Sequence, residues 1–206
     1  MTGTFDPAAY DAVVYDLDGT LVHLAVDWNA VAADVIDVYA EHAVKPPGSD
    51  LWELLGAADE YGLAEAVEEA IAAHEREGAR RSTRLPLADL LEGPSESESP
   101  SESESPSESG RESGTEGPPV AVCSLNCEAA CRIALETHDL ASGVDAVVGR
   151  DTVSTWKPDP EPLLAAIDAL GVDPARTVFI GDSERDAITA ERAGVPFISA
   201  HDARGE

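Results

Sequence analysis

Val13-Val14-Tyr15-Asp16-Leu17-Asp18-Gly19-Thr20 sets an apolar, β-branched run directly against two carboxylates, a Gly and a Thr. The run over 12–16 has the composition of a buried strand. If the backbone stays extended, Asp16 and Asp18 point to one side, because side-chain direction repeats every second residue. Gly19 lets the chain turn away just afterwards. Two like charges this close repel, and either a bound cation or one carboxyl that keeps its proton relieves the repulsion. The plain alternative is a strand end with solvated Asp residues and a turn Gly. The rest of the chain decides between the two.

Downstream, Trp28, Val31, Val35, Ile36 and Tyr39 recur at helical spacing over 27–42. Lys45-Pro46-Pro47-Gly48-Ser49-Asp50 breaks that helix, and Ser49 or Asp50 can cap a second over 51–55. A third is expected over 63–80, its apolar stripe of Ala66, Val67, Ala70, Ile71 and His74 interrupted by Glu. No strand signal lies between Val22 and Arg84, so 22–84 reads as an all-helical unit inserted after the first strand. A Pro-started turn over 85–91 brings the chain back. Residues 92–119, nearly all Ser, Glu, Gly and Pro, cannot fill a core and are expected to be disordered. From Val120 onward, strands expected at 120–124, 144–148, 177–181 and 195–198 alternate with helices at 128–140, 160–170 and 186–193. That interval is the one βαβ units make. The predicted fold is α/β, a doubly wound parallel sheet with helices on both faces, its core formed by 1–21 and 85–206.

Charge narrows the partners. The formal net charge is −28, and of 13 basic residues only Lys45 and Lys157 are Lys. So negative a field argues against nucleic acid and anionic membranes as partners. The Glu/Ser tract contributes only about −7 of this, so the excess is spread over the whole chain. That balance is expected of a salt-rich cytoplasm, such as that of a halophilic archaeon, where counter-ions screen self-repulsion. No basic segment followed by an apolar run marks a signal peptide, and no apolar run reaches 18 residues. Cys123, Cys127 and Cys131 are odd in number and lack a fourth ligand. They read as small buried apolar residues of a reducing compartment rather than as disulfides or a zinc site.

In doubly wound sheets, functional residues collect beyond the carboxyl ends of the strands. There stand Asp16 and Asp18; Ser124, Leu125 and Asn126; Lys157 within Trp156-Lys157-Pro158; and Gly181-Asp182-Ser183-Glu184-Arg185-Asp186. Each has a bland reading as a cap, a surface lysine or a turn, but four together on one sheet edge call for a common cause. Phosphoryl transfer supplies one. Mg²⁺ takes hard oxygen ligands, which Asp16 and Asp182 can give. A phosphate takes donors from the Ser124 hydroxyl, the backbone N–H groups that follow it and the Lys157 ammonium. A carboxylate can act as nucleophile, and Asp18 can protonate the leaving oxygen and then activate water.

In this order, the four segments resemble the motifs of the haloacid dehalogenase superfamily, most closely its phosphoglycolate-phosphatase-like members. The resemblance covers the chain apart from the Glu/Ser tract. It implies a Rossmann-like core with a small helical cap at 22–84 that closes over the site and selects substrates. It implies Asp16 as nucleophile, Asp18 as general acid and base, and Ser124, Leu125, Asn126 and Lys157 around the phosphoryl group. It implies Mg²⁺ on Asp16, Asp182 and the Asp18 carbonyl, with Asp186 supporting it. Because Asp18 is present, phosphate-ester cleavage is favoured over carbon–halogen cleavage, which leaves no oxygen to protonate.

The expected activity is therefore Mg²⁺-dependent hydrolysis of a small-molecule phosphate ester by a cytoplasmic monomer or homodimer. A sugar-phosphate mutase of the same superfamily is the enzymatic alternative. A receiver-type signalling module is the alternative from another class, although its phospho-accepting Asp would follow a later strand with no helical insert before it. His23 lies close enough to the first motif to reach the cleft but reads more simply as a linker residue.

Overall fold

A computed structural model describes residues 5–91 and 117–205. The expectation of disorder in the acidic tract therefore falls, over 92–116, outside the described residues. In chain order the elements are β1 (Ala12–Tyr15), β2 (Val22–His23), α1 (Trp28–Glu41), α2 (Leu51–Ala57), α3 (Ala64–Arg80) and β3 (Thr83–Arg84). After them come β4 (Val120–Cys123), α4 (Glu128–Thr137), β5 (Ala146–Val148), α5 (Glu161–Leu170), β6 (Thr177–Gly181), α6 (Glu184–Ala193), β7 (Phe197–Ser199) and α7 (Ala200–Ala203).

Five strands form one parallel sheet in the order β5-β4-β1-β6-β7. Period-two alternation divides the strand side chains between two cores. Val13, Tyr15, Val122, Val178 and Ile180 pack with Ala130, Cys131, Ala134 and Leu135 of α4 and with Ala200 and Ala203 of α7. Val14, Ala121, Cys123 and Phe179 pack on the other face with Leu163, Ala166 and Ile167 of α5 and Ala190 of α6. All four residues of β1 are buried, as a central strand covered on both faces requires. The chain winds one way from β1 to β4 and β5, then returns to the far side for β6 and β7. The carboxyl end of β1 therefore lies at the switch point where such sheets open a crevice.

The helical block has a core of its own, from Val31, Val35 and Tyr39 of α1, Leu54 of α2, and Leu63, Val67 and Ile71 at and within α3. Asp27 caps α1 and Asp50 caps α2, each accepting two backbone N–H groups. The buried Tyr39 hydroxyl donates to the Leu54 carbonyl at 2.6 Å and ties the first two helices together.

Several local expectations need correction. The interval from Val22 to Arg84 is not free of strand: β2 and β3 pair antiparallel, Val22 opposite Arg84 and His23 opposite Thr83. Two residues per strand are too few for a local pattern, so only the meeting of the outgoing and returning chain creates this ribbon. The first strand ends at Tyr15 rather than Asp16, although the Asp16 N–H still donates to the Ile180 carbonyl at 2.8 Å. The Leu17 carbonyl accepts from the N–H groups of Thr20, Leu21 and Val22, and this tight turn carries Asp18. Helix α6 begins at Glu184 rather than Asp186, because Ser183 and Asp186 form a reciprocal capping box. Helix α4 stops at Thr137, two residues before Asp139 adopts a left-handed φ of 58°. Residues 117–119 of the expected disordered tract lie among the described residues, and the Pro119 carbonyl accepts from Val13 N–H at 3.1 Å, a role proline retains although it lacks a donor. The short α7 carried no clear sequence signal.

Candidate active site

Asp16, Asp18, Ser124, Leu125, Asn126, Lys157, Asp182 and Ser183 line a single cleft of about 160 Å³, closed on the helical side by Trp28 and Trp52. They come from the ends of β1, β4 and β6 and from the loop that follows β5. Gly19 makes one close approach feasible. Its φ is +85°, and a Cβ there would stand 2.1 Å from Asp182 Oδ2, so only a glycine lets the β1 turn and the β6 loop touch.

Lys157 is the electrostatic centre. Its side chain is 2% exposed, and Nζ donates to Asp16 Oδ1 at 2.8 Å, to Asp186 Oδ1 at 2.5 Å and to the Cys123 carbonyl at 3.3 Å. Burial works against the ammonium, but the Asp16 and Asp186 carboxylates outweigh it and hold the lysine above its ordinary range. One cation serves two carboxylates, so a negative charge remains in excess. Burial, with Asp186 adding to it against the pull of Lys157, pushes Asp16 up to about 7. Burial likewise raises Asp18, whose Oδ1 accepts from Leu24 N–H at 2.8 Å. Asp182 is raised by burial and by the nearby Asp186.

The carboxylates of Asp16, Asp182 and Asp186 offer oxygens within 4.8 Å of one another. An all-oxygen, over-negative cluster of this kind suits a hard divalent cation. Asp186 is fully buried and sits behind the cleft wall, held by Ser183, whose Oγ and N–H donate to its Oδ2 at 2.5 and 3.1 Å. Asp18 stands apart from that trio, at the turn, with the exposed His23 ring 3.6 Å away. The Ser124 hydroxyl donates to Asn126 Oδ1 at 3.1 Å and accepts Asn126 N–H at 3.2 Å. The Asn126 amide itself points away from the cleft, toward Glu75 at 3.3 Å.

The three cysteines are buried. Burial raises the thiols of Cys123 and Cys127 to about 12 and that of Cys131 well above its usual value, so they are inert packing residues.

Sequence reasoning missed Glu75, Arg150, Trp28 and Trp52. Glu75 follows Val67 and Ile71 at four-residue spacing and so falls on the buried face of α3, where a charge signals a partner. Arg150 stands just past the carboxyl end of β5, the kind of position that the site residues of the other strands occupy. Trp28 reads as part of the apolar stripe of its helix, and nothing local marks either Trp28 or Trp52 as a cleft wall.

The haloacid dehalogenase-like hydrolase family matches residues 114–200. The phosphoglycolate phosphatase of Rhodospirillum rubrum is 34% identical over 194 residues, spanning 91% of this chain and 78% of the relative. That of Cereibacter sphaeroides is 33% identical over 191 residues, spanning 90% and 82%. The chain belongs to the haloacid dehalogenase-like hydrolases. Within them it is a phosphoglycolate-phosphatase-like enzyme of the phosphoric monoester hydrolase type, which removes the receiver-module alternative. Solved structures carry the same fold. A haloacid dehalogenase-superfamily hydrolase of Geobacter sulfurreducens superposes with a TM-score of 0.54 at 23% identity, covering 93% of this chain and 89% of the other. A family hydrolase of Deinococcus radiodurans, solved with bound phosphate and sodium, gives 0.54 at 19% identity, covering 93% and 81%. Among the described residues, no helix of this hydrolase is long and apolar enough to cross a membrane.

Proposed function

We propose that this hydrolase is a Mg²⁺-dependent phosphatase of small-molecule phosphomonoesters, phosphoglycolate-like or sugar phosphates, working through an aspartyl-phosphate on Asp16. The observation that carries the reading is the convergence of Asp16, Asp18, Ser124, Lys157 and Asp182 on one small cleft. A Mg²⁺ ion held by Asp16, Asp182 and the Asp18 carbonyl, with Asp186 in support, would neutralise charge on nucleophile and substrate.

An Asp16 carboxylate oxygen attacks phosphorus as the bond from phosphorus to the leaving oxygen breaks, and Asp18 gives that oxygen its proton. Burial keeps a proton on Asp18 to higher pH than an exposed Asp would, which suits an acid. Asp18, now ionised, takes a proton from water. The water oxygen attacks the phosphoryl group, Asp16 is restored and inorganic phosphate leaves. Lys157 holds Asp16 in position and offsets phosphoryl charge, while Ser124 and the Leu125 N–H supply donors and the Asn126 N–H holds the Ser124 hydroxyl in place.

The helical block acts as the cap, Trp28 and Trp52 forming the wall the leaving group meets. Hydrolysis is favoured over a mutase outcome because the relatives are named as phosphoglycolate phosphatases. The enzyme works in the cytoplasm as a monomer or homodimer, and its net charge of −28 fits a salt-rich interior. A screen of phosphate esters with Mg²⁺ in high salt tests the reading. Release of inorganic phosphate that Asp16→Asn and chelation both abolish is expected. Release that survives Asp16→Asn would overturn the covalent route.

A further inference from the structure

A second charged cluster lies behind the loop that follows β4, and none of its carboxylates faces the cleft. Glu75 of α3 is fully buried, and Arg150 is 3% exposed. Arg150 commits all five N–H donors. Nε and Nη2 fork onto Glu68 at 3.0 and 2.6 Å. Nη1 and Nη2 fork onto Glu75 at 2.7 and 3.1 Å. Nη1 also donates to the Leu125 carbonyl at 2.6 Å. Glu75 is equally saturated: besides Arg150, it accepts the Asn126 side-chain amide at 3.3 Å and the Cys127 N–H at 2.9 Å. The Arg150 backbone N–H closes the ring onto the Asn126 carbonyl at 3.0 Å.

The Leu125 carbonyl, the Asn126 side-chain amide and the Cys127 N–H are thus held from behind by one carboxylate and one guanidinium. A buried pair this well satisfied orients what it touches more than it stabilises the fold. What it touches is the loop whose front carries the Ser124 hydroxyl and the Leu125 N–H. Glu75 belongs to the helical block and Arg150 to the turn after β5, so the clamp also fixes α3 against the core.

We propose that Glu75 and Arg150 are positioning residues that hold the Ser124–Asn126 loop in its phosphoryl-binding shape from behind, with α3 as the fixed part of the cap. The proposal rests on the phosphatase reading above. It predicts an effect on phosphate binding, which the loop makes in ground and transition states alike, and so a change in KM with little change in kcat.

The test uses the full-length protein with p-nitrophenyl phosphate as substrate and inorganic phosphate as competitor. In Glu75→Gln, which keeps shape and one acceptor, KM and the phosphate inhibition constant should both rise about tenfold or more. Arg150→Lys should behave in the same way, because an ammonium cannot fork onto two carboxylates and a carbonyl at once. The double variant should be no worse than the poorer single, since both act through one loop. Arg76→Ala, a surface change on the same helix, should leave both constants as they are. A folded Glu75→Gln with wild-type phosphate affinity, or single effects that add, would overturn the proposal.

If Glu75→Gln does not fold, Glu68→Gln carries the test. Its carboxylate touches Arg150 but not the loop, so a rise of about threefold is expected, and no change refutes the clamp. If the wild type neither hydrolyses the ester nor binds phosphate, the functional reading fails by itself. Amide exchange then decides the clamp: in Glu75→Gln, or in Glu68→Gln if that alone folds, the Cys127 and Arg150 N–H groups should exchange faster while the interior of α4 keeps its protection. Unchanged exchange at both overturns it.

Discussion

Lys157 Nζ lies 2.8 Å from Asp16 Oδ1 across 141 positions of sequence, and both side chains are nearly sealed from water. The lysine is therefore a structural counter-ion as well as the proposed phosphate ligand. Lys157→Met should leave Asp16 and Asp186 without a cation and cost about 3–5 kcal/mol of stability. Denaturant unfolding measures this. Millimolar Mg²⁺ should recover part of the loss, and an unchanged unfolding midpoint would contradict the counter-ion role.

Asp16→Asn removes the proposed nucleophile and one of two carboxylates competing for that cation. Phosphate release should fall to background, while the melting temperature stays equal or rises because a desolvated charge has gone. Mass spectrometry of the wild type quenched during turnover should show a phosphoryl adduct on Asp16 that the variant lacks.

Asp18→Asn should lower kcat by roughly 10²–10⁴-fold for esters with poor leaving groups. The loss should be smaller for p-nitrophenyl phosphate, whose leaving oxygen needs no proton in the first step. Equal losses for both esters would count against Asp18 as the acid.

The pH dependence of metal binding follows from Asp16. Its folded-state value, about 7, lies above the ordinary carboxylate value of 3.8. In metal-free protein the group thus favours the fold at low pH, and that contribution is lost as pH rises from near 4 through 7. Mg²⁺ needs the ionised form and competes with this proton. The rise in melting temperature caused by Mg²⁺ should therefore be larger at pH 8 than at pH 5. Equal rises at both would show that Asp16 does not gate the cation.

The charge of −28 predicts a salt requirement. Raising KCl from about 0.1 to about 1 M shortens the screening length from roughly 10 to 3 Å and should raise the melting temperature and activity together. Full stability in dilute buffer would remove the salt-adapted reading.

What the sequence determined by itself was the sheet and the front of the site. Strand alternation, helix punctuation and the residues just past each strand are local properties, so the chain alone places Asp16, Asp18, Ser124, Lys157 and Asp182 on one sheet edge. The tertiary structure alone decided how those charges are balanced. Spacing puts Glu75 on the buried face of α3, but nothing local names its partner, and Arg150 reads as a loop residue. Burial makes each require the other, and burial is a property of how α3 packs on the core. The two-residue strands β2 and β3 and the Trp52 wall, over which the Arg185 guanidinium stacks at 4.8 Å, have the same origin. Their partners lie tens of residues away, and contact energies between distant segments leave no periodic trace in the chain.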